Sequence, residues 1–197
     1  MNDLLSGAFV AASLLVSACK TTPAPVSEPV APVQVLFDGT SLDSWNRTGD
    51  ANWTLTGDSV QADAGGGMLV TKESFRDFQL EVEFFADKDT NSGVFMRCSA
   101  PAKIDDATCY EANIFDSRPD QSGRTGAITN VAPPLAVVDS EGRWNKYEIL
   151  AQGPRLVIKL NGVVTVDMRD ERHREGPIAL QFAKGGIRFR KVLARRL

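Results

Sequence analysis

Strict alternation of apolar and polar side chains is the feature that most constrains the fold of this chain. In residues 78–84, Phe-Gln-Leu-Glu-Val-Glu-Phe, every second residue is apolar, and successive side chains of a strand point to opposite faces. Asn161-Gly162 joins two further alternating runs, and this dipeptide is typical of a tight β-hairpin turn. No segment after residue 34 carries a sustained helical period. We therefore expect an all-β sandwich or jelly roll.

Short segments of the same kind predict more strands, separated by turns rich in Gly, Asp, Asn and Pro. They are 68–70, 93–98, 110–115, 146–151, 156–160, 163–167, 178–182 and 187–192. The last of these runs into a basic cluster, Arg188 to Arg196, whose partial alternation is expected of a strand with one solvated face. Gly65-Gly66-Gly67 predicts a turn and not a phosphate loop, because neither Lys-Ser/Thr nor a helix follows it.

The first residues of the chain predict a targeting signal. Residues 4–16 form an apolar run that is too short to span a bilayer as a mature helix. The run ends in Val16-Ser17-Ala18-Cys19, which resembles the lipobox of bacterial lipoproteins, where the cysteine becomes the lipid-modified N-terminus. The segment before it departs from that pattern, since it contains Asn2 and Asp3 and no Lys or Arg. A plain secreted protein, or a buried Cys19, is the alternative.

Residues 20–34 predict a tether between the lipid and the fold. Four prolines in this segment favour an extended, polyproline-like backbone that cannot build a core. The expected organisation is a signal peptide over 1–19, the tether over 20–34 and one folded domain over 35–197. A chain lipidated at Cys19 is expected on the periplasmic side of the bacterial envelope, attached to the outer membrane.

The charge and the cysteine content limit which macromolecules and metals the protein is expected to bind. The net charge is -3 and Lys and Arg are scattered outside the terminal cluster, so nucleic acid is not an expected partner. Beyond Cys19 the cysteines are Cys98 and Cys109, which flank a short loop. A disulfide, two free thiols and a metal pair are all open, although the only histidine, His173, leaves few soft ligands for a metal.

The segment from Cys109 to Asp116 carries the first candidate for chemistry. Within this strand-like run Glu111, Asn113 and Phe115 share one face, and Tyr110, Ala112 and Ile114 share the other. A row with a carboxylate and an amide on one strand face costs stability unless that face meets water or a ligand. This strand is therefore the first place to look for chemistry.

Six separated motifs, in order, resemble the 3-keto-disaccharide hydrolase domain, long called DUF1080. They are 36–45, 91–97, 110–116, 144–149, 160–162 and 176–181, so the similarity extends over the whole predicted domain. The resemblance implies a concanavalin A-like jelly-roll β-sandwich, a periplasmic or surface location, and substrates that are glycosides oxidised at C3.

Such substrates require a base near C2, a cation or donor at the C3 oxygen, and an acid for the leaving oxygen. Glu111 is the expected base and Arg97 the expected oxyanion or sugar contact. Asp116 is a reserve catalytic carboxylate. The expected substrate contacts are Asn113 and Gln181, with Glu83 in reserve.

Each of these residues also has a structural interpretation. Glu111 and Arg97 could form an ion pair on a sheet face, and Glu83 could be a solvated strand residue. Asn113 and Gln181 could satisfy backbone groups at a sheet edge.

Two departures from the family pattern concern the chemistry. Many relatives have Gln where Asn113 stands, and many carry a histidine where this chain has Phe182-Ala183-Lys184. The lone His173 lies in a charged loop, where it is expected to be solvated or to reach over the rim of the site as an acid-base group. No cofactor is implied with certainty; a divalent cation is compatible, with no metal ligands assigned.

The three tryptophans, Trp45, Trp53 and Trp144, are expected in the core more than on a sugar-stacking surface, Trp144 most of all. Two other functions remain open. Residues 111–116 look like a degraded E-x-D-x-x-E signature of laminarinase-type glycoside hydrolases, although Asn113 and the short Asp116 make a retaining two-carboxylate geometry harder to reach. A non-catalytic carbohydrate-binding module is the other alternative, because fold alone does not separate an enzyme from a lectin.

Overall fold

The computed structural model describes residues 31–197, which form thirteen β-strands and one short 3-10 turn. The strands are β1 (Gln34–Phe37), β2 (Trp45–Gly49), β3 (Thr54–Thr56), β4 (Ser59–Ala62), β5 (Gly67–Phe75), β6 (Phe78–Ala86), β7 (Ser92–Met96), β8 (Tyr110–Ile114), β9 (Trp144–Gln152), β10 (Arg155–Leu160), β11 (Val163–Arg169), β12 (Gly176–Phe182) and β13 (Ile187–Arg196). The turn covers Gln121–Gly123. No helix within residues 31–197 is long and apolar enough to cross a membrane. The predicted signal peptide, Cys19 and most of the predicted tether lie outside the described residues.

The strands form two antiparallel sheets packed face to face. The eight-stranded sheet has the order β11-β10-β9-β6-β13-β4-β3, and β1 also pairs with β13. The five-stranded sheet has the order β2-β5-β12-β7-β8. The predicted all-β sandwich is confirmed. The candidate strand β8, Tyr110–Ile114, is an edge strand of the five-stranded sheet.

The core lies between the two sheets and follows the alternation in the sequence. On β6, Phe78, Leu80, Val82 and Phe84 are buried, whereas the residues between them are partly or fully exposed. Trp53 lies between the sheets, because its ring contacts Phe182 of the five-stranded sheet and Phe189 of the eight-stranded sheet. Burial of this inner layer of aliphatic and aromatic side chains is the main favourable contribution to folding.

The turn chemistry agrees with the sequence. Asn161 and Gly162 both have positive φ, 53° and 83°, as a two-residue hairpin turn of this type requires, and they join β10 to β11. In the basic cluster, Phe189, Val192 and Ala194 face the core and the cations face outward. A bulge at Lys191, φ 49°, restores this alternation between Phe189 and Val192.

The burial of the three tryptophans differs from the expectation. Trp45 and Trp53 are buried, at 5% and 2% exposed, whereas the prediction that Trp144 is the strongest core member is wrong. Trp144 is on the outward-pointing face of β9 and is partly exposed. Its ring packs edge-on against Phe85 and lies under the Arg190 guanidinium at 4.1 Å, an arrangement that stabilises an aromatic residue at a surface.

Candidate active site

Glu111 is on the outer face of the five-stranded sheet, where it is only 7% exposed. Its cross-strand partner is Phe95, which in turn pairs with Ala179. Phe95 and Ala179 belong to a second, smaller apolar cluster on this face. On the sheet itself, the neighbours of Glu111 are therefore apolar.

A glycine leaves the space that the carboxyl group occupies. Gly93 lies next to Glu111 on β7, and a Cβ atom placed on it would lie 2.5 Å from Glu111 Oε1. The side chain of Glu111 thus folds across the backbone of β7, toward Gln181 on the next strand, β12. Any residue with a side chain at position 93 would displace the carboxylate.

Two loops bound this position. The segment 126–129 runs beside β8, with hydrogen bonds from Asn113 N to Ala127 O and from Thr129 N to Glu111 O. The loop 99–108 also reaches this position, because Asn130 donates a side-chain hydrogen bond to Asp106. The loops therefore contact each other close to Glu111, and β8 is buried on both of its faces.

Burial raises the pKa of Glu111 to about 7. The charge of Asp106 adds to the rise, whereas the Thr129 hydroxyl and the Arg118 guanidinium oppose it. The Thr129 hydroxyl oxygen is nevertheless buried without a hydrogen-bond partner, as is Gln181 Oε1. A carboxyl group with this pKa exchanges a proton near neutral pH, as a general base or acid requires.

Arg97 does not join Glu111, so the expectation that it contacts the oxyanion or the sugar beside Glu111 is wrong. Its φ of 52° breaks the alternation after β7, and its guanidinium is 1% exposed. It donates to Arg76 O, Gly153 O and Asp77 Oδ1 at 2.7, 2.8 and 2.9 Å. Arg97 therefore fastens the β5–β6 turn to the β9–β10 turn. The alternative ion pair with Glu111 is absent from residues 31–197 too, because the carboxylate partner of Arg97 is Asp77.

Asp116 and Asn113 also bond to the protein itself. Asp116 accepts hydrogen bonds from Ser140 N, Ser140 Oγ and Glu141 N, at 2.6, 3.0 and 3.0 Å. Asn113 is 1% exposed and donates to Gly123 O. The structural interpretation of Asn113 is the one that the geometry supports, and Asp116 orders a neighbouring loop.

Glu83 lies on the other sheet, so the expectation that it contacts substrate beside Glu111 is wrong. It is on β6, with its carboxylate 2.7 Å from Arg190 Nε and 3.6 Å from Lys191 Nζ. Alternation along β6 points Glu83 away from the core, onto the outer face of the eight-stranded sheet. A sandwich places that face on the opposite side of the molecule from Glu111.

The sequence profile of one family, described as the 3-keto-alpha-glucoside-1,2-lyase-like domain, matches residues 32–195. The chain belongs to this family. The match covers every strand of the two sheets except the last residue of β13. No protein of curated function matches the sequence.

Solved structures share the fold of this family member. Two proteins of Parabacteroides distasonis ATCC 8503, each described as a candidate glycosyl hydrolase, superpose with TM-scores of 0.75 and 0.73 at 17% and 24% sequence identity. Both cover 84% of this chain, which covers 94% and 100% of theirs. Carbohydrate-binding module CBM66 of Bacillus subtilis superposes with a TM-score of 0.61 at 19% identity, over 78% of this chain and 97% of the module. Identities this low establish the fold alone.

His173 is buried, at 8% exposed, so the expectation of a solvated loop histidine is wrong. Its ring packs edge-on against Tyr110 and Nδ1 lies 3.3 Å from Ser99 Oγ. Burial, assisted by Arg172, lowers the pKa of His173. Tyr110 in turn donates to Asp170 Oδ1 at 2.5 Å, so His173 belongs to a packed polar cluster under the loop that follows β11.

Cys98 and Cys109 form a disulfide. Both half-cystines are about 1% exposed and pack with Phe95 in the smaller apolar cluster. The bond closes the base of the 99–108 loop, which carries Asp106. Within residues 31–197 no group of three or more His, Cys, Asp or Glu side chains is arranged to hold a metal ion.

Three residues that bound the site were missed in the sequence. Asp106, Arg118 and Thr129 are in loops, where alternation gives no information on direction. A usable signal was present for two of them: the polar, glycine-containing stretch after β8, residues 116–130, has to turn back close to the strand that it leaves.

Proposed function

We propose that this domain cleaves glycosides whose sugar is oxidised to a ketone at C3, with Glu111 as the base that removes the C2 proton. The observation that carries the proposal is the buried carboxyl group of Glu111, whose pKa is raised to about 7. Family membership supports the substrate class. The site supports the chemistry, because a ketone acidifies the neighbouring proton enough for a carboxylate to remove it when the enolate is stabilised.

The reaction divides into an elimination and a hydration. Glu111 accepts the proton from C2, and the C–H electron pair moves into the C3 carbonyl to give an enolate. Collapse of the enolate breaks the C1–O bond and releases the aglycone, whose oxygen takes up a proton. Water then adds across C1 and C2, giving the free 3-keto sugar. The sum is one glycoside and one water to one keto sugar and one alcohol.

Arg118 replaces Arg97 as the cation proposed for the C3 oxygen. The charge of Arg118 already acts on the Glu111 carboxyl group, and its guanidinium forms no salt bridge among the described residues. Gln181 Oε1 and the Thr129 hydroxyl, both buried without partners, are proposed to hydrogen-bond sugar hydroxyls. A ligand that satisfied them would remove the cost of leaving them unpaired.

The location is proposed from the sequence. Cleavage before Cys19 and lipidation of that residue would attach the domain to the cell envelope, on the periplasmic side of the outer membrane. Metabolic labelling with a fatty-acid analogue tests this proposal, since Cys19→Ala is expected to abolish the label and release the protein from the membrane fraction.

Incubating the purified protein with a 3-keto-glucoside and with its unoxidised parent tests the reaction. Cleavage of the keto compound alone supports the proposal, with kcat/KM rising as pH increases through about 7, because Glu111 must be ionised to act as a base. Glu111→Gln is expected to abolish turnover, whereas Glu141→Gln, at an exposed position, is expected to retain it. Binding without cleavage would instead identify a carbohydrate-binding module, and cleavage of the parent an ordinary glycoside hydrolase.

A further inference from the structure

A groove crosses the outer face of the eight-stranded sheet, on the opposite side of the sandwich from Glu111. Its volume is about 450 Å³, within the usual range of roughly 300–1,000 Å³ for ligand sites. The groove is formed by β13, β6, β9 and β10, which are neighbours in that order. Three strand spacings of about 4.8 Å make it about 14 Å long across the strands.

The register of these strands arranges the groove as two rows of side chains. One row begins at Leu193 on β13 and ends at Lys159 on β10. The other contains, in order, Arg195, Gln79, Leu150 and Val157. Between its ends the first row carries Glu81 and Glu148. The second row is aliphatic at Leu150 and Val157, with the amide of Gln79 beside them, and cations lie at diagonally opposite ends of the groove.

Most other charges of the groove are already compensated by residues outside it. Lys191 Nζ lies 2.7 Å from the Glu81 carboxylate, and Lys146 Nζ lies 3.6 Å from that of Glu148. Arg155 pairs with an aspartate, 2.9 Å away, at the edge of the sheet. The carboxylates in the groove thus leave no uncompensated negative charge at this surface.

Arg195 and Lys159 differ from these residues. Neither lies within 4.0 Å of a carboxylate oxygen among residues 31–197, and Arg195 Nε is buried with no hydrogen-bond partner. A buried donor on a cationic group costs free energy when it is left unpaired. The terminal nitrogens of Arg195 form no hydrogen bond among residues 31–197 and are not buried as Nε is, so they can donate to a carboxylate.

We propose that this groove binds a short carboxylated oligosaccharide, with one carboxylate on Arg195 and a second one near Lys159. The choice of occupant rests on charge complementarity at the two ends and on the surface between them. Leu150 and Val157, which are cross-strand neighbours, offer an aliphatic surface to the C–H faces of a pyranose ring, and the Gln79 amide can hydrogen-bond ring hydroxyls. This second site does not depend on the reaction proposed for Glu111.

Isothermal titration of the full-length protein with tetragalacturonate, and with maltotetraose as the neutral control, tests the proposal. Tetragalacturonate is expected to bind and maltotetraose to bind at least tenfold more weakly. Arg195→Gln is expected to weaken tetragalacturonate binding about tenfold, the usual effect of losing one charge-assisted hydrogen bond, and Lys159→Gln severalfold. Lys88→Gln removes the same charge from an exposed turn outside the groove and is expected to leave the affinity unchanged.

Equal binding of the two oligosaccharides, or no binding of either, would overturn the proposal. So would an equal loss in Lys88→Gln and Lys159→Gln, since that result indicates net charge alone. Lys159 is exposed, so its variant is expected to fold even if Arg195→Gln does not. Glu111→Gln should bind tetragalacturonate as the natural protein does, which separates this site from the fate of the proposed reaction.

Discussion

The carboxyl group of Glu111 has no polar neighbour directly across the sheet, since its cross-strand partner is Phe95. Phe95 lies beside it and a glycine backbone lies beneath it, and the polar groups that act on it, Asp106, Arg118 and Thr129, come from loops. Such a position costs stability and is retained where the unusual proton affinity is useful. Arg97 shows the opposite case, because three acceptors occupy its buried guanidinium and leave it nothing for a ligand.

The raised pKa of Glu111 gives a stability that depends on pH. In the unfolded chain this carboxyl group ionises from about pH 4.5, whereas in the folded protein it stays protonated up to about pH 7. Stability is therefore full below pH 4.5 and is lost as pH rises to about 7. The difference between 4.5 and about 7 corresponds to about 3 kcal/mol.

Glu111→Gln should remove that loss, since an amide does not ionise. Urea unfolding at pH 5 and pH 8 measures the effect: the free energy of unfolding of the variant should change less between the two values, by about 2–3 kcal/mol. Glu141→Gln serves as the exposed control. A variant that follows the natural protein at both pH values would contradict the assignment of a raised pKa to Glu111.

Gly93→Ala should retain the fold and reduce activity. The three atoms nearest to the added Cβ would all belong to the Glu111 side chain, with Oε1 at 2.5 Å and Cγ at 2.9 Å, so the side chain of Glu111 has to move before the backbone does. We expect kcat on a 3-keto-glucoside to fall at least tenfold, because a displacement of about 1 Å already costs a base much of its effect. Gly66→Ala, where the new Cβ meets nothing within 4 Å, is the matched control and should keep full activity.

At the scale of elements, the strands hold the site and the loops complete it. The residues of β7, β8 and β12 place Glu111, Gly93 and Gln181 on one surface. Asp106, Arg118 and Thr129 come from the connections, as functional residues of rigid scaffolds commonly do. The disulfide links these two parts, because it fastens the 99–108 loop to the ends of β7 and β8.

Replacing both cysteines, Cys98→Ala with Cys109→Ala, should destabilise the domain by about 3 kcal/mol, the usual value for a loop of this length. The loss should be accompanied by faster amide exchange in residues 99–108, measured by hydrogen–deuterium exchange mass spectrometry. Exchange in β13, which belongs to the other sheet, should change only through global unfolding. Unchanged exchange in the loop would show that the bond does not order it.

The sequence predicted the strands after residue 77 well and the earlier ones poorly. On β6 and β9 the alternation is long enough to show which face is buried, whereas β5 was predicted only over 68–70 of its nine residues. The strands β2 and β3 are short, and nearly all of their residues are exposed, so no apolar period marks them. The buried carboxyl group of Glu111 and the two cysteines could be selected from the sequence, because β8 and the cysteine pair are local features.

The companions of Glu111 could not be selected in the same way. Arg97 looked like a strand residue until its positive φ turned the side chain away, and Glu83 alternates correctly but on the other sheet. Asp116 and Asn113 are held by backbone groups that come from loops more than eight residues away along the chain. Such contacts depend on the path by which a loop comes back to the sheet, and the alternation of apolar and polar residues gives no information on that path.

At the scale of the whole molecule, the two sheets share one core, and their outer faces carry different sets of side chains. One outer face carries Glu111 and its loops; the other carries charged rows, the Trp144 and Arg190 stack, and the groove. Because Trp53 contacts aromatic rings of both sheets, neither sheet can lose its partner without exposing the core.

We therefore expect the two sheets to unfold in one transition. In a guanidinium titration of Trp144→Phe, tryptophan fluorescence then reports only the buried Trp45 and Trp53. Its midpoint should agree with that of circular dichroism, which reports the strands of both sheets. Two separated midpoints would show that one sheet survives without the other.

The segment 126–129, which runs beside β8, has a consequence for how relatives of this domain can diverge. The segment satisfies backbone groups along what would otherwise be an open margin of the five-stranded sheet, and an open margin invites pairing between molecules. Shortening the loop would therefore expose the chain to aggregation while it altered the site. Exchanging side chains at positions such as 118 and 129 carries no such penalty, so new sugar preferences are expected to arise there by substitution at constant loop length.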